Sequence, residues 1–363
     1  MLIFYIVFFF LILRFTITLF NFISNPKLPS SPYRYTDLVS ILIPVKNEES
    51  TILNLLNSIK EQEYATLEVL ILDDNSSDNT FKICENFCTY DTRFSITRGR
   101  KLEDGWVDKN FACHQLAGAA KGKYLLFLDS HTIIQNGLIS NSVHRIKQGK
   151  MALLSLFPNQ IMVNLGERLV VPLMNFLLLN SLPLRLVRLV NNPLFSAASS
   201  QFMLFESSSY HVHHWHAQVK DKTLMDVEIM KLVKAYQYKA ETLLANGFAV
   251  CRMYKGFSEA LNDFSKALVP AFNYNIAGLI CYLLLIMVGP VFIALYLNYS
   301  LLLFAVTLII LTRVMVSLQS GQNVLLNIIM HPFQMLTLVL AACIAVKKQI
   351  VKGSPDMGNT FGT

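Results

Sequence analysis

Residues 71–80 read ILDDNSSDNT, an apolar run that ends in two acids and continues into residues typical of a turn. The run begins at residue 67 (LEVLILDD), and such a short, continuous apolar stretch is typical of a strand buried on both faces of a parallel sheet. Ser77 and Asp78 are of the types that cap helices, and we expect them to cap a helix over 80–87. The stretch therefore predicts one strand–turn–helix unit of an α/β domain.

Similar units lie on both sides of this stretch. Residues 38–45 (LVSILIPV) form a second apolar run, and apolar residues within 48–61 have helical spacing. Further strands are predicted at 93–97 and 123–129 (KYLLFLD), with a helix over 109–121 between them. This alternation predicts a doubly wound α/β sheet.

Polar residues follow three of the predicted strands. Lys46 and Glu48 follow the first strand, Asp74 ends the second, and Asp129 and His131 follow the fourth. Ligands of such sheets bind beyond the carboxyl ends of the strands. We therefore expect these side chains to converge on one site.

The composition is unusual for a soluble protein. The 363 residues are 53% hydrophobic and 15% charged, against about 25% charged in an ordinary globular chain. The apolar excess is concentrated in residues 2–23 and 270–346, which have nearly no acids and approach the length of a bilayer span. The predicted organisation is an N-terminal transmembrane anchor (1–24), a proline-rich linker (25–37), a soluble α/β domain (38–268), C-terminal membrane helices (269–346) and a basic tail (347–363).

Basic residues suggest an orientation. Lys27, Arg34 and Lys46 follow the first apolar segment and none precedes it, so the positive-inside rule predicts a cytoplasmic domain in the cell membrane. Three C-terminal stretches are candidate spans: 276–297, 301–316 and 325–346. If all three span, the tail lies outside, against the same rule, so a re-entrant third segment stays an alternative. Residues 165–189 are apolar but interrupted by prolines, which favours an interfacial helix pair over a span.

The net charge of +7 suits an anionic membrane surface. Nucleic acid is not expected, because no arginine-rich helix, zinc knuckle or aromatic RNA-binding motif is present. The six cysteines form no C-x-x-C pairs, so we expect reduced thiols, with Cys84 and Cys88 packed in a core.

Three motifs resemble those of a known family. Residues 40–49 (SILIPVKNEE), 71–80 and 124–132 (YLLFLDSHT) resemble the opening motifs of family 2 glycosyltransferases, whose catalytic fold is called GT-A. Residues 105–130 and 252–268 (RMYKGFSEALNDFSKAL) resemble the membrane-bound carotenoid glycosyltransferases of staphyloxanthin-type pathways, which glucosylate diaponeurosporenoate from UDP-glucose. The resemblance covers most of the chain. It implies a nucleotide-sugar donor, a divalent metal (Mn²⁺ or Mg²⁺) and a lipid-soluble acceptor.

The resemblance also implies roles for individual residues. Lys109 matches a lysine that could reach the diphosphate, and Asp129 matches the first acid of an Asp-x-Asp metal motif. Asp226, in MDVEIMKL (225–232), matches the candidate general base, while Glu228 cannot share its helix face and is expected to be a structural partner or a substrate hydroxyl ligand. The nucleotide pocket would be lined by Pro44, Lys46, Glu48 and Asp74.

Several residues depart from the family pattern. His131 replaces the second metal-binding aspartate, and imidazole suits Mn²⁺ better than Mg²⁺. Met225 replaces an acid, His214-Trp215 replaces a glycine pair, and Phe264 replaces a tryptophan. Together these replacements allow altered substrate choice, weak activity or none.

The run HVHHWH (211–216) invites a metal-site interpretation. Strand-like spacing would place His214 and His216 on one face, but no cysteine or carboxylate lies nearby at a familiar zinc spacing. An acceptor-lining or interfacial role is favoured.

Three functions remain open. The first is inverting transfer of a hexose, as glucose from UDP-glucose, to a lipid-soluble acceptor such as a carotenoid acid. The second keeps the chemistry but uses a polyprenyl phosphate, a sterol-like lipid or a diacylglycerol as acceptor. The third is a non-catalytic membrane scaffold on a decayed glycosyltransferase fold.

Overall fold

The computed structural model describes residues 2–296 and 299–351. The chain divides into two compact units. The sheet unit comprises residues 24–161 and 183–252, and the helical unit comprises 2–23, 162–182 and the described residues from 253 onward. These units and the predicted limits at 38 and 268 divide the chain differently. Residues 24–37 belong to the sheet unit, and 162–182 and 253–268 belong to the helical unit.

The sheet unit alternates strands and helices as far as residue 128, at the positions that the apolar pattern predicts. With elements numbered in chain order over both units, its strands are β1 Val39–Val45, β2 Leu67–Asp73, β3 Phe94–Arg98, β4 Tyr124–Leu128, β5 Thr132–Ile134, β6 Leu153–Phe157, β7 Asn159–Gln160, β8 Phe202–Glu206, β9 Ala240–Leu244 and β10 Ala249–Cys251. Its helices are α2 Ile52–Lys60, α3 Thr80–Tyr90, α4 Asp108–Ala119, α5 Leu138–Gly149, α7 Leu184–Leu189, α8 Ser207–His213, α9 Trp215–Gln218 and α10 Met225–Ala235, with a 3₁₀ turn at Pro193–Phe195.

The main sheet has the order β3-β2-β1-β4-β8-β6-β9. Strands β1 to β4 run parallel to one another, and β8 is antiparallel to both β4 and β6, so the sheet is mixed and the predicted α/β fold class is confirmed. A second sheet joins β5, β10 and β7. Three residues, 129–131, separate the end of β4 from the start of β5, so this polar turn connects the two sheets.

The core of the sheet unit lies where α2 packs on β1. Ile41 and Ile43 on the strand and Leu55 on the helix are fully buried, each contributing about 1.5–3 kcal/mol by burial. Gly122 permits the close approach of β4 to β1, because a Cβ there would lie 2.6 Å from the backbone nitrogen of Ser40. All six cysteines are free thiols, and Cys84 packs in this core as predicted.

The helical unit contains the apolar segments. Its helices are α1 Leu2–Ser24, α6 Leu165–Ser181, α11 Phe257–Ala271, α12 Ile276–Tyr296, α13 Tyr299–Ser320, α14 Val324–Ile329 and α15 His331–Val351. Within the described ranges, three segments are long and apolar enough to cross a membrane: Tyr5–Ser24, Tyr299–Ser320 and His331–Val351. A fourth crossing exists if α11 and the start of α12, bent by 112°, act as one span.

The predicted third C-terminal span is interrupted. Residues 325–346 fall on two helices, α14 and α15, which meet at Met330. The stretch 276–297 matches α12, except that its last residue lies outside the described ranges. Lys347 and Lys348 of the predicted tail belong to α15, and residues 352–363 also lie outside the described ranges.

Residues 165–189 form two helices, as predicted, but they belong to different units. Helix α6 belongs to the helical unit and α7 to the sheet unit. Asn164 starts α6 through a capping box with Glu167, whose backbone N–H donates to the asparagine oxygen over 2.9 Å. Pro172 lies inside the helix without ending it.

Candidate active site

Asp129 and Lys109 form the central ion pair of the site. The Nζ atom of Lys109, in the first turn of α4, donates to Oδ2 of Asp129 over 2.7 Å at the carboxyl end of β4. Burial alone would raise the pKa of the Asp129 carboxyl, but the Lys109 ammonium outweighs burial and holds this pKa below its usual range. Burial alone would lower the pKa of Lys109, and Asp129 holds it above its usual value. The structure thus brings these two predicted residues together, both charged.

Asp226 lies in the first turn of α10 and is held by backbone amides. Its Oδ2 atom accepts from the N–H of Ser200, and its Oδ1 atom accepts from the N–H of Val227, each over 2.9 Å. Burial raises the pKa of Asp226 above the ordinary carboxyl value, although these amides and Lys109 act in the opposite direction. Raised basicity is what a general base near neutral pH requires.

One turn of backbone anchors both acids. Ser200 donates to Asp226, and the carbonyl of the next residue, Gln201, accepts from the N–H of Asp129 over 3.3 Å. Lys109 acts electrostatically on both carboxylates. The turn before β8 therefore sets the positions of the candidate base and the candidate metal acid.

Glu228 plays a different part from Asp226. Its carboxylate accepts from the Nζ atom of Lys231 over 2.7 Å on the same helix, and about a third of its side chain is exposed. It is thus a structural partner of Lys231, one of the two roles expected for it.

His131 is paired with Glu48. The imidazole Nε2 atom lies 3.2 Å from a Glu48 oxygen, and the other Glu48 oxygen accepts from the Thr51 hydroxyl over 2.5 Å. The hydrogen bond with Glu48 raises the pKa of His131. Burial would raise the pKa of Glu48, but His131 and Thr51 hold it below its usual range. The two strand-end turns after β1 and β4 are joined by this pair.

The surroundings of His131 bear on whether it could bind a divalent metal ion. His131 Nδ1 is buried and has no hydrogen-bond partner in the described structure. A histidine that binds a metal through one ring nitrogen commonly donates its other N–H to a carboxylate, as His131 can do to Glu48. Within residues 2–296 and 299–351, no three His, Cys, Asp or Glu side chains converge on one point. An ion bound by Asp129 and His131 would therefore need its other ligands from substrate and water.

Lys46 links two acids at the exposed rim of the site. Its Nζ atom lies 3.1 Å from Asp74 and 2.7 Å from Asp108. The hydrogen bond with Asp108 is the main cause of a raised pKa at Lys46. Asp108 was missed from the sequence, although its position immediately before Lys109 at a helix start is a usable signal.

The turns after β1 and β2 hold each other in place. Asn47 and Asn75 both adopt the left-handed conformation, with φ 57°. The N–H of Asn47 donates to the Ser76 hydroxyl over 2.9 Å, and the N–H of Ser77 donates to the Asn47 side chain over 2.8 Å. The predicted capping role of Ser77 is therefore wrong, because Ser77 bonds to Asn47 in the turn after β1 instead.

Two further predicted residues, Asp78 and Pro44, lie near these turns. Asp78 accepts from the N–H of Thr80, the first residue of α3, over 3.0 Å, so it does stabilise the helix start. Pro44 lies within β1, opposite Leu72 of β2, and is partly exposed.

The histidine run is helical, so the predicted strand-like spacing is wrong. His213 ends α8 and stacks on Trp215, with ring centroids 4.4 Å apart. His216 is fully buried, bonded to the Tyr210 hydroxyl over 2.6 Å, and burial lowers its pKa to about 3. His214 has φ 48°, a backbone conformation that glycine adopts readily. Within the run, Trp215 and His216 are thus buried, whereas His211, Val212 and His214 are exposed.

Known proteins with similar sequences identify the domain. The family model for glycosyl transferase family 2 matches residues 40–208. The 4,4'-diaponeurosporenoate glycosyltransferase of Staphylococcus haemolyticus is 23% identical over 272 residues, which are 70% of this chain and 67% of that protein. The UDP-Glc:alpha-D-GlcNAc-diphosphoundecaprenol beta-1,3-glucosyltransferase WfgD of Escherichia coli is 37% identical over 97 residues, 26% of this chain and 36% of that one. The chain thus spans one to two thirds of the length of these curated relatives.

A solved structure shows the same fold. The mannosyltransferase PcManGT of Pyrobaculum calidifontis, determined in complex with GDP-Man and Mn²⁺, superposes with a TM-score of 0.58 at 14% identity. The superposition covers 97% of this chain and all of that one. The motifs at three strand ends, the mixed sheet and the family match agree. The chain therefore has the fold of the GT-A glycosyltransferases, and residues 40–208 match the model of glycosyl transferase family 2.

Proposed function

We propose that the protein is an inverting hexosyltransferase that moves a sugar, glucose from UDP-glucose, to a lipid-soluble acceptor. The observation that carries this proposal is the assembly of Lys109, Asp129 and Asp226 around one turn of backbone. An ammonium for a diphosphate and a carboxylate of raised pKa for an acceptor proton are the two charges that such a transfer requires.

The nucleotide would lie across the rim. Asp74 offers carboxylate oxygens to the base or ribose, and Lys46 and Pro44 lie beside it on the turn and strand that support the pocket. Lys46 would then exchange one of its two carboxylate partners for a donor phosphate. Glu48 acts through His131, whose ring it orients.

Asp226 would remove the proton of an acceptor hydroxyl as that oxygen attacks the sugar. Its two backbone hydrogen bonds fix the carboxylate, so the base does not have to be positioned by the substrate. Lys109 neutralises the charge that develops on the departing diphosphate. If the acceptor is a carboxylic acid, it is already ionised at neutral pH, and Asp226 would orient it rather than deprotonate it.

A divalent ion would be held by Asp129 and His131. When bound, Mn²⁺ or Mg²⁺ supplies Lewis-acid stabilisation of the diphosphate. The imidazole ligand favours Mn²⁺.

The acceptor is proposed to be a lipid. The Staphylococcus haemolyticus relative is named for a carotenoid acid and the Escherichia coli relative for a diphosphoundecaprenol-linked sugar. Helices able to span a bilayer belong to the same chain as the glycosyltransferase domain. The second candidate function is therefore transfer to a polyprenyl-linked acceptor. By the positive-inside rule, we propose a multi-pass membrane protein with its sheet unit in the cytoplasm.

Transfer from several radiolabelled UDP-sugars into a lipid extract of the native host tests the proposal. We expect label from UDP-glucose in one lipid product, with loss in Asp129→Asn and Asp226→Asn proteins. Mild alkali releases the sugar from an ester of a carotenoid acid but not from a glycoside of a hydroxyl. Unchanged transfer by both variants would overturn the residue roles. An absence of both UDP binding and transfer, with and without Mn²⁺, would support the non-catalytic scaffold.

A further inference from the structure

Two arginines lie inside the apolar helices of the helical unit. Arg14 is in the candidate span Tyr5–Ser24 and Arg313 is in Tyr299–Ser320. Arg313 is only 1% exposed. Charged residues inside a span are rare and usually mark a functional site, because taking the charge out of water is costly.

All hydrogen-bond partners of these guanidinium groups are neutral. Arg313 donates to His331 Nδ1 over 2.7 Å and to the Gln334 amide oxygen over 2.6 Å. Arg14 contacts the Asn180 amide oxygen at 3.4 Å. Both guanidinium groups also lie over the ring of Phe176, at 5.1 Å for Arg14 and 3.8 Å for Arg313. The two cations therefore meet at one aromatic ring.

Several hydrogen-bond donor atoms near the Phe176 ring have no partner. Nη2 of Arg14 and Nη1 of Arg313 are buried without a hydrogen-bond partner, as is the amide nitrogen of Asn180. In the described part of the chain, neither arginine lies within ion-pair distance of a carboxylate. Buried charges in proteins are normally paired, so two cations and three free donors call for an anion from outside the chain.

A cavity opens next to these donors. Arg14, Phe176 and His331 line it, and Arg313 contacts two of these residues. Its volume is about 50 Å³, enough for a carboxylate or phosphate group but not for a lipid chain. Apart from Thr312, the rest of the lining is apolar, including Leu11 and Ile309. Water could fill the space but would leave the charge of both arginines uncompensated.

We propose that this arginine cavity binds the anionic end of a lipid-soluble molecule, a carboxylate or phosphate on a single hydrocarbon or isoprenoid chain. Resting on the proposed function, the site would hold the acidic acceptor of the transferase before that acceptor moves to Asp226, where the sugar is transferred. Two guanidinium groups suit a carboxylate or phosphate because their forked N–H donors match its oxygens. The hydrocarbon chain of the molecule would lie outside the cavity.

Binding to the purified, delipidated full-length protein tests the site. Native mass spectrometry would compare retinoic acid, a polyene carboxylic acid, with methyl retinoate, its neutral ester. We expect one bound acid per chain and at least about tenfold weaker binding of the ester, as a charge-assisted hydrogen bond predicts. Arg14→Gln and Arg313→Gln should each reduce the preference for the acid. Lys266→Gln is the matched control, because it removes an exposed, ion-paired cation from the same unit.

The unmodified protein provides a readout that does not depend on the variants folding. Retinoic acid should raise its Tm and methyl retinoate should not. Equal binding or equal stabilisation by acid and ester would overturn the site, as would full acid preference in both arginine variants. Displacement of retinoic acid by equimolar phosphatidylglycerol would overturn the assignment to a single-chain acceptor, whereas displacement by geranylgeranyl phosphate would support it. Asp226→Asn protein should still bind the acid, so failure of the transferase proposal and failure of this site are distinguishable.

Discussion

Asp226→Asn is the substitution that tests the chemistry most directly. Asparagine keeps the size of the side chain but removes the charge and one of the two oxygens that accept from Ser200 and Val227. One of these amides then faces an NH₂ group, at a cost of about 1–3 kcal/mol in stability. Loss of the base should lower the rate of transfer to a hydroxyl acceptor about 10²- to 10⁴-fold, equivalent to about 3–5 kcal/mol in the barrier.

The assay follows single-turnover transfer of radiolabelled glucose, with UDP affinity and Tm measured on the same preparations. Glu228→Gln is the control, because it removes a charge from the same helix turn at a partly exposed ion pair worth at most about 1 kcal/mol. We expect the transfer rate of Glu228→Gln to lie within about twofold of the wild-type rate, since an exposed ion pair contributes little. With a carboxylic acid acceptor, Asp226→Asn should cost less than about tenfold, because no proton has to be removed. A folded Asp226→Asn protein that transfers to a hydroxyl acceptor within about threefold of the wild-type rate would refute the base role.

Four further predictions concern the same unit. Because burial raises the pKa of Asp226, the acid limb of kcat/KM for a hydroxyl acceptor should lie above the ordinary carboxyl value of about 4, with activity lost as pH falls through it. An acid limb at or below about pH 4 would contradict the role of Asp226 as the base. His131→Asp should shift the preferred ion from Mn²⁺ towards Mg²⁺, as measured by UDP binding in each metal. Gly122→Ala should lower the free energy of unfolding by about 1–3 kcal/mol in urea titration, because its Cβ would lie 2.6 Å from the Ser40 nitrogen. His214→Gly should leave stability unchanged or raise it by up to about 1 kcal/mol, since it removes a non-glycine residue from φ 48° at the cost of exposed imidazole contacts.

The strand ends could be predicted because parallel strands obey a simple rule. Each apolar run is too short and too continuous for a surface helix, and polar residues mark its end. Lys46, Asp74 and Asp129 could therefore be placed at one edge of a sheet from the sequence alone. Asp226 could not be placed by that rule, because it lies on a helix start, and only the family resemblance indicated it.

Contacts between distant turns could not be predicted in the same way. The pairing of His131 with Glu48 and the position of Asp108 beside Lys46 depend on how the turns meet, and no periodicity encodes that. The histidine run shows a different failure. Alternating histidines suggest a strand, but Glu206 accepts from the N–H of Ser209 and starts a helix immediately after β8. Local capping outweighed the alternation.

The replaced family residues have partners in this structure, and this bears on whether the domain has decayed. His131 has a carboxylate on one ring nitrogen and leaves the other free, as a histidine metal ligand would. Trp215, in place of a glycine, is fully buried and stacks on His213, although its indole N–H has no hydrogen-bond partner among the described residues. Met225, in place of an acid, is buried at the start of α10 while Asp226 beside it keeps both backbone hydrogen bonds. Drift without selection is expected to leave unpaired charges and unfilled space at such positions. Compensated replacements favour a catalyst with altered metal and acceptor preference over a scaffold.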